Sequence, residues 1–279
     1  MRPGAGRGAS HVRFPAASDV ADGHVRVLVR QTGAMQPIDE PGLSAELIRA
    51  RADAVMQRLR SAAEAAGRAP DAFRLVAVTK GFGVDVVTAA VEAGLHSLGE
   101  NRVQEAAVKV EAVPGIEWHL VGHLQSNKVR AALGLFQLIH SVDSVELLRR
   151  IDRIAGEEGK RPDLLLQVNV AGEQSKAGFD PELIRPGGDA HAELADACRN
   201  ASAARLTGLM TIGPAGIGAD EQRSLFARLR GLRDHLATSL DRPLPELSMG
   251  MTADADAAVA EGATMVRIGT AIFGPRPHH

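Results

Sequence analysis

Lys80 is the residue whose position in this sequence could support covalent chemistry. It follows the run RLVAVT, residues 74–79, and precedes Gly81. A run this rich in apolar and β-branched residues is typical of a strand buried on both faces of a parallel sheet. A lysine at the end of such a strand loses hydration, which favours the neutral amine, a nucleophile that condenses with aldehydes. The commoner alternative is a strand-end cation that reaches solvent along its apolar stem.

Polar residues and glycines follow most of the other strand-like runs. They are Asn101, His123, Gln125, Asn127, Ser141, Asp143, Asn169, Thr211, Ser248, Gly250, Arg267, Gly269 and Thr270. If the strands are parallel and close into a barrel, their C-terminal ends meet at one face, and such folds hold their sites at that face. We therefore expect these residues to gather around one barrel mouth.

Two of these strand ends indicate what is bound. SMGMT, residues 248–252, and RIGT, residues 267–270, supply small residues, hydroxyls and backbone N–H groups ahead of helices. Barrels often hold a phosphate after their seventh and eighth strands. The alternative is that Gly250 and Gly269 only form tight turns and Thr252 only caps a helix. A lysine opposite a phosphate corner and an arginine favours a phosphorylated carbonyl ligand, of which pyridoxal 5'-phosphate (PLP) is the obvious case.

Eight strand-like runs alternate with amphipathic segments. They are Arg74–Lys80, His96–Glu100, Glu117–Gly122, Leu138–Val142, Asp163–Val170, Arg205–Ile212, Glu246–Gly250 and Met265–Gly269. This alternation predicts an α/β fold with a parallel sheet, and eight strands in succession favour closure into a (β/α)₈ TIM barrel over an open sheet. Before the first strand, residues 43–67 show helical spacing of apolar residues and end in a glycine.

The ends of the chain differ from this pattern. Residues 1–41 are rich in Gly, Ala, Arg and Pro without a clear period. We expect a flexible N-terminal extension there, with Met35 as an alternative start and no secretory signal. Residues 42–275 are expected to form a single barrel domain, and residues 276–279 a tail.

Composition excludes several classes of protein. A net charge of −2 and a pI near 6.6 give no reason to expect nucleic acid or an anionic membrane as a partner. No apolar run approaches the roughly 20 residues that span a bilayer. The single cysteine, Cys198, cannot form an intrachain disulfide, which suits a reducing cytoplasm. No set of His or carboxylate residues has metal-ligand spacing.

Six motifs in order carry a resemblance to a known family. They are AVTKGF, LGENRVQEA, WHLVGHLQSNKVR, LLQVNVAGEQSKAGF, GLMTIGP and LSMGMTADADAAVAEGATMVRIGTAIFG. Together they resemble the pyridoxal phosphate homeostasis proteins, whose barrel is similar to the N-terminal domain of alanine racemase. The resemblance covers residues 43–275. It implies the fold that the alternation of elements predicts.

The resemblance also implies roles for individual residues. Lys80 matches the lysine that holds PLP covalently as an internal aldimine, and Asn101 matches a residue that lines the cofactor pocket. Ser248, Gly250, Gly269 and Thr270 match the phosphate cradle. Arg267 matches the arginine that faces the pyridine nitrogen. No residue is implied to be catalytic, and residues 185–191, RPGGDAH, form a glycine-rich loop to which no role is assigned.

The implied function is intracellular PLP homeostasis without strong catalysis, in a cytoplasmic protein that we expect to be a monomer and that supplies PLP-dependent apo-enzymes. A permanent guanidinium charge beside the ring nitrogen discourages its protonation, so the cofactor is a poorer electron sink. One alternative is a PLP-dependent amino-acid racemase of the alanine racemase type, which needs a tyrosine as second base, whereas this sequence contains no tyrosine. Another is a phosphate-binding barrel without PLP, such as a Schiff-base aldolase. His119 is expected to be a satisfied barrel residue, not a general base.

Overall fold

The computed structural model describes residues 26–28, 37–39, 43–173, 177–185 and 187–276. The chain divides into two units, residues 1–42 and 43–279. In the first unit, β1 (Arg26–Leu28) pairs with β2 (Pro37–Asp39) in antiparallel register, which the sequence analysis did not anticipate. The rest of the expected extension, including Met35, lies outside the described residues, as do residues 277–279 of the expected tail.

The second unit is a closed barrel of eight parallel strands. Its strands are β3 (Arg74–Val78), β4 (Ser97–Glu100), β5 (Glu117–Leu120), β6 (Leu138–Val142), β7 (Asp163–Gln167), β8 (Arg205–Met210), β9 (Glu246–Ser248) and β10 (Met265–Ile268). Each strand pairs with the next along the chain, and β10 closes the ring by pairing with β3, where Arg267 lies opposite Val76. The expected (β/α)₈ barrel is confirmed.

Several strands end earlier than the sequence predicts, although all eight begin within one residue of the predicted start. β3 ends at Val78 instead of Lys80, and β7 ends at Gln167 instead of Val170. Single backbone hydrogen bonds continue past these ends, such as that from Thr79 N to Gly99 O. The regular ladder stops here because the chain turns into the loops of the barrel mouth.

Helices separate the strands and cover the outside of the barrel. They are α1 (Ala45–Ala65), α2 (Val84–Glu92), α3 (Val103–Ala112), α4 (Val129–Leu133), α5 (Val145–Glu157), α6 (Pro181–Ile184), α7 (Gly188–Asn200), α8 (Ala219–Leu240), α9 (Ala255–Ala260) and α10 (Thr270–Phe273). A short 3₁₀ helix, Ser126–Lys128, precedes α4. None of the helices in the described ranges is long and apolar enough to cross a membrane.

Helix α5 shows how the sequence specifies these elements. Ser144 caps its N-terminus, because the serine Oγ accepts a hydrogen bond from Leu147 N at 3.1 Å. Leu147, Ile151 and Ile154 recur at helical spacing and are buried against the sheet. Burying each such side chain contributes about 1.5–3 kcal/mol. The amphipathic pattern therefore fixes which face of the helix meets the barrel.

Residues 185–191 do not form the continuous glycine-rich loop that the sequence predicts. Helix α7 begins at Gly188, so the second half of this stretch is helical. His191 is buried in that helix, where its ring nitrogens contact Leu183 O at 3.1 Å and Ser239 Oγ at 2.9 Å. Gly187, with φ of 133°, supplies the turn into the helix. The helix forms despite its glycine-rich start because its later residues pack into the core.

The barrel interior holds two kinds of side chain. An apolar cluster is formed by Val76, Leu138, Leu165, Met210 and Met265. His119 and His140 are also fully buried, and their ring centroids lie 5.2 Å apart. Above this layer, at the C-terminal ends of the strands, the barrel opens into a cavity.

Candidate functional site

The cavity at the barrel mouth has a volume of about 480 Å³. It is lined by Val78, Lys80, Phe82, Asn101, Val121, Gly122, His123, Gln167, Ile212, Met251, Thr252, Ala253, Arg267, Gly269, Thr270, Gly274 and Arg276. Its size lies in the range of roughly 300–1,000 Å³ that is usual for small-molecule sites. Five of the seven predicted site residues line it: Lys80, Asn101, Arg267, Gly269 and Thr270.

Lys80 reaches the cavity because side chains alternate along β3. Val76 belongs to the interior cluster, Val78 lines the cavity, and Lys80 continues the same face. The lysine is half-buried, and this burial lowers the pKa of its amine, with Arg276 and Arg267 lowering it further. Glu100 and Glu105 oppose the shift. A larger fraction of Lys80 is therefore the neutral, nucleophilic amine than in an exposed lysine.

The peptide groups on either side of Lys80 are held by helix α3. Lys109 Nζ donates to Thr79 O at 3.0 Å, and Gly81 N donates to the Glu105 carboxylate. Lys109 and Glu105 are themselves paired, with Nζ and Oε1 3.1 Å apart. The α3 pair therefore fixes the backbone from which the Lys80 side chain extends.

Behind this backbone lies a buried carboxylate, Glu100. Its Oε1 accepts hydrogen bonds from Thr79 Oγ1 and from Lys109 Nζ, both at 2.6 Å. Its Oε2 has no hydrogen-bond partner among the described residues. Burial raises the pKa of Glu100, whereas the hydrogen bonds from Lys109 and Thr79 lower it. Lys109 is 3% exposed and Glu100 is fully buried, so this ion pair is held inside the protein.

Arg267 enters the cavity from β10. Its Nη1 donates to Ser248 Oγ at 2.6 Å and its Nη2 donates to Thr211 O at 2.8 Å. Burial lowers the pKa of Arg267 to about 10, while the negative charge of Asp254 favours the protonated form. The guanidinium therefore remains charged at neutral pH and is held in one orientation.

Ser248 and Gly250 are placed differently from the other predicted residues. Ser248 is fully buried, and its Oγ contacts Arg267 and His140 instead of lining the cavity. Gly250 has φ of 91°, and a Cβ atom there would lie 2.5 Å from Ala258 Cβ. Gly250 thus permits a tight turn that brings the following residues to the cavity wall.

Two turns form one wall of the cavity. The first contains Met251, whose N–H donates to Asp254 Oδ1 at 2.6 Å, followed by Thr252 and Ala253. The second contains Gly269 and Thr270 at the start of α10. Within the described part of the chain, the backbone N–H groups of Thr252, Ala253 and Thr270 have no hydrogen-bond acceptor. These groups can donate to an anion in the cavity.

The opposite wall depends on a close backbone approach. A Cβ atom at Gly122 would lie 2.4 Å from Asn101 O, so only glycine fits between the ends of β4 and β5. His123 follows at the rim, where its Nδ1 lies 3.0 Å from Asp143 Oδ2. This places an imidazole with a carboxylate partner beside the cavity.

Sequence reasoning missed several lining residues. Val121 and Ile212 add apolar surface, and Gln167 adds an amide that is tied to Ala177 O at 2.8 Å. The strand alternation could have indicated them, because they continue inward-facing positions. Arg276, which was assigned to the tail, lines the cavity beside Gly81. No local pattern indicated Arg276, since its position depends on how the chain returns after α10. No group of three or more His, Cys, Asp or Glu residues in the described ranges could hold a metal ion.

Comparisons with known proteins agree with this architecture. The family model for the alanine racemase N-terminal domain matches residues 51–277. A pyridoxal phosphate homeostasis protein of Aquifex aeolicus is 39% identical over 230 residues, which cover 82% of this chain and 98% of that protein. Its counterpart in Pseudomonas aeruginosa is 42% identical over 226 residues, covering 80% and 94%.

Solved structures give the same result. PipY of Synechococcus elongatus with PLP bound is 40% identical, with a TM-score of 0.70 and coverage of 81% of this chain and all of PipY. An alanine racemase of Clostridium difficile is 14% identical with a TM-score of 0.62, which shows a shared fold alone. The family model matches most of the chain, and the Aquifex and Pseudomonas relatives, at 39% and 42% identity, are covered over nearly their whole length. The chain therefore belongs to the pyridoxal phosphate homeostasis protein family.

Proposed function

We propose that this protein binds PLP in the barrel-mouth cavity, holds it as a Schiff base on Lys80, and serves in PLP homeostasis and supply. The observation that carries the proposal is the half-buried Lys80 amine, with its lowered pKa, in one cavity with Arg267 and the two turns. A relative that is 40% identical has been solved with PLP bound, which supports the same ligand here.

The lining residues fit the chemical groups of PLP. Lys80 Nζ can attack the aldehyde carbon, and the aldehyde oxygen then leaves as water. The N–H groups of Thr252, Ala253 and Thr270 can donate to the phosphate oxygens. Asn101 and the apolar side chains of the cavity would enclose the ring between these ends. When bound, PLP supplies an aldehyde and a conjugated ring that accepts electrons.

The charge of Arg267 supports a role in supply over one in catalysis. The guanidinium is held by Ser248 Oγ and Thr211 O. Its remaining N–H groups can donate to the pyridine nitrogen of PLP only if that nitrogen is unprotonated. An unprotonated ring is a weaker electron sink. We infer that the protein keeps the reactive aldehyde from stray amines and releases PLP to PLP-dependent apo-enzymes.

The test is a visible absorbance spectrum after addition of PLP, followed by borohydride reduction and peptide mapping. The wild-type protein should show a Schiff-base band, and the reduced label should map to Lys80. Lys80→Ala should lose the band, and Lys160→Ala, which replaces an exposed lysine, should keep it. A label on another lysine, or an unchanged band in Lys80→Ala, would refute the anchor. Failure of the wild-type protein to take up PLP would refute the function.

One observation favours a second candidate function, PLP-dependent turnover of amino acids. His123 lines the cavity and is oriented by Asp143, so its other ring nitrogen can act as a single base. The tyrosine of a two-base racemase has no counterpart, because the sequence contains no tyrosine. Incubation of the PLP-loaded protein with L- and D-amino acids tests this function. Turnover that is lost in His123→Ala would support this second function. If the wild-type protein shows no turnover, the second function is refuted and the supply function remains as the single candidate.

A further inference from the structure

A row of polar side chains runs through the barrel interior beneath the cavity. It joins Glu117, at the start of β5, to Arg267 through His119, His140 and Ser248. His119 Nδ1 lies 2.9 Å from His140 Nε2, and His140 Nδ1 lies 2.8 Å from Ser248 Oγ. Both imidazoles are fully buried, and neither lines the cavity. Buried polar rings destabilise a fold unless they are hydrogen-bonded, so the arrangement of hydrogens in this row is constrained.

The direction of the hydrogen bonds follows from Arg267. A guanidinium only donates, so Ser248 Oγ accepts from Nη1. The serine hydroxyl hydrogen can then be directed to His140 Nδ1, in which case that nitrogen carries a lone pair. His140 therefore bears its hydrogen on Nε2 and donates to His119 Nδ1, and His119 bears its hydrogen on Nε2. That nitrogen lies 3.3 Å from Glu117 Oε1 and has no hydrogen-bond partner among the described residues.

The opposite direction leaves a hydrogen without an acceptor. If His119 were doubly protonated, it would donate to His140 Nε2, and His140 Nδ1 would donate to Ser248 Oγ. The serine hydroxyl hydrogen would then have no acceptor in the described part of the chain. Burial also lowers the pKa of His140 well below its usual value, the charges of Arg267 and Arg74 lower it further, and a charge on His119 would lower it as well. Both directions leave the His119 Nε2 hydrogen with only its 3.3 Å contact to Glu117 Oε1, so the first direction leaves one fewer hydrogen without an acceptor.

We propose that His140 is a positioning residue for Arg267. By accepting the hydroxyl hydrogen of Ser248, it turns a serine lone pair toward Nη1 and so aims the guanidinium into the cavity. His119 and Glu117 act one step further away, by fixing the tautomer of His140. The inference rests on the proposed function in one respect, which is that the guanidinium faces the ring nitrogen of PLP.

Two substitutions separate this role from simple packing. In His140→Asn the amide oxygen takes the place of Nδ1 and can still accept from Ser248. In His140→Gln the amide nitrogen takes the place of Nε2, so the contact with His119 is kept and the contact with Ser248 is lost. Because one hydrogen bond to a charged group is weakened, the dissociation constant for PLP should be about tenfold higher in His140→Gln than in His140→Asn. Equal losses in the two variants, or a greater loss in His140→Asn, would overturn the proposal.

A second measurement does not depend on PLP. Nitrogen-15 NMR of histidine-labelled, PLP-free wild-type protein reports the tautomer of each imidazole directly. We expect neutral rings at His119 and His140, both with hydrogen on Nε2, at neutral pH. An imidazolium at either residue, or hydrogen on Nδ1 of His140, would overturn the inference. If the wild-type protein bound no PLP, the proposed function would fail. The NMR result would still decide the direction of the hydrogen bonds in the row.

Discussion

Lys109→Met tests the buried ion pair behind the backbone of Lys80. Lys109 is 3% exposed and donates to Glu100, Glu105 and Thr79 O. Methionine fills a similar volume, so the main effect is to leave the fully buried Glu100 carboxylate without its cation. Breaking a buried pair in this way costs about 3–5 kcal/mol. This is a large share of the roughly 5–15 kcal/mol by which folded domains are stable.

The assay is urea-induced unfolding followed by circular dichroism at pH 8. We expect the free energy of unfolding of Lys109→Met to fall by about 3–5 kcal/mol. Lys160→Met replaces an exposed lysine and should change it by about 0.5 kcal/mol or less. The double variant Glu100→Gln/Lys109→Met removes both charges and should recover a large part of the loss.

The pH dependence provides a further test of the same variant. Burial raises the pKa of Glu100 in the folded state, and the variant lacks the opposing effect of Lys109. Below the unfolded pKa of about 4.3, the carboxyl is neutral in both states and its burial costs little. As pH rises from there through the folded pKa, stability falls because the unfolded carboxyl gives up its proton more readily than the folded one, and above the folded pKa the full cost of burying the charge is present. The difference in free energy of unfolding between the wild type and Lys109→Met should therefore become smaller as pH falls from 8 to 5. A loss below about 1 kcal/mol at pH 8, with no pH dependence, would refute the buried-charge argument.

Three further predictions concern the cavity and the core. Arg276→Ala should raise the pKa of Lys80 and so slow Schiff-base formation with PLP at pH 7.5, as measured by stopped-flow absorbance. Because Arg276 is exposed, the rate should fall by less than about fivefold. An increase in rate would contradict the assigned electrostatic effect. Gly250→Ala should destabilise the fold, because its φ is positive and the added Cβ would lie 2.5 Å from Ala258 Cβ; an unchanged melting temperature would contradict this. Cys198 is buried and burial raises the pKa of its thiol to about 11, so it should react with a thiol reagent only after denaturation; rapid labelling of the native protein would contradict this.

The barrel and the position of Lys80 were predictable because they depend on local patterns. The period of apolar residues identified eight strands, and the rule that sites lie at C-terminal strand ends identified the cavity. Asn101, Arg267, Gly269 and Thr270 followed from the same rule together with the family motifs. Local pattern and tertiary structure agree at these positions, since parallel strands of one barrel must all end at the same face.

The missed features depend on contacts between distant strands. His140 meets Ser248 across 108 residues, and no spacing in the sequence reports that their side chains share a hydrogen bond. The expectation that His119 is a satisfied barrel residue holds for Nδ1, which bonds His140, but not for Nε2, which has no hydrogen-bond partner among the described residues. The row that His119 belongs to was not foreseen. Glu100 was also missed as a buried charge, because its partner Lys109 looks like an ordinary helix-surface lysine in the sequence.

The closure of β10 on β3 has a consequence for synthesis of the protein on the ribosome. The amine of Lys80 and the α3 residues that hold its backbone lie within residues 74–112, which emerge early. Arg267, Gly269 and Thr270 emerge last, and they reach Lys80 only when the final strand pairs with β3. A nascent chain that lacks β10 therefore has Lys80 and the earlier lining residues without Arg267 and the start of α10. Under the proposed function, capture of the cofactor reports that the last segment of the barrel has been made and folded.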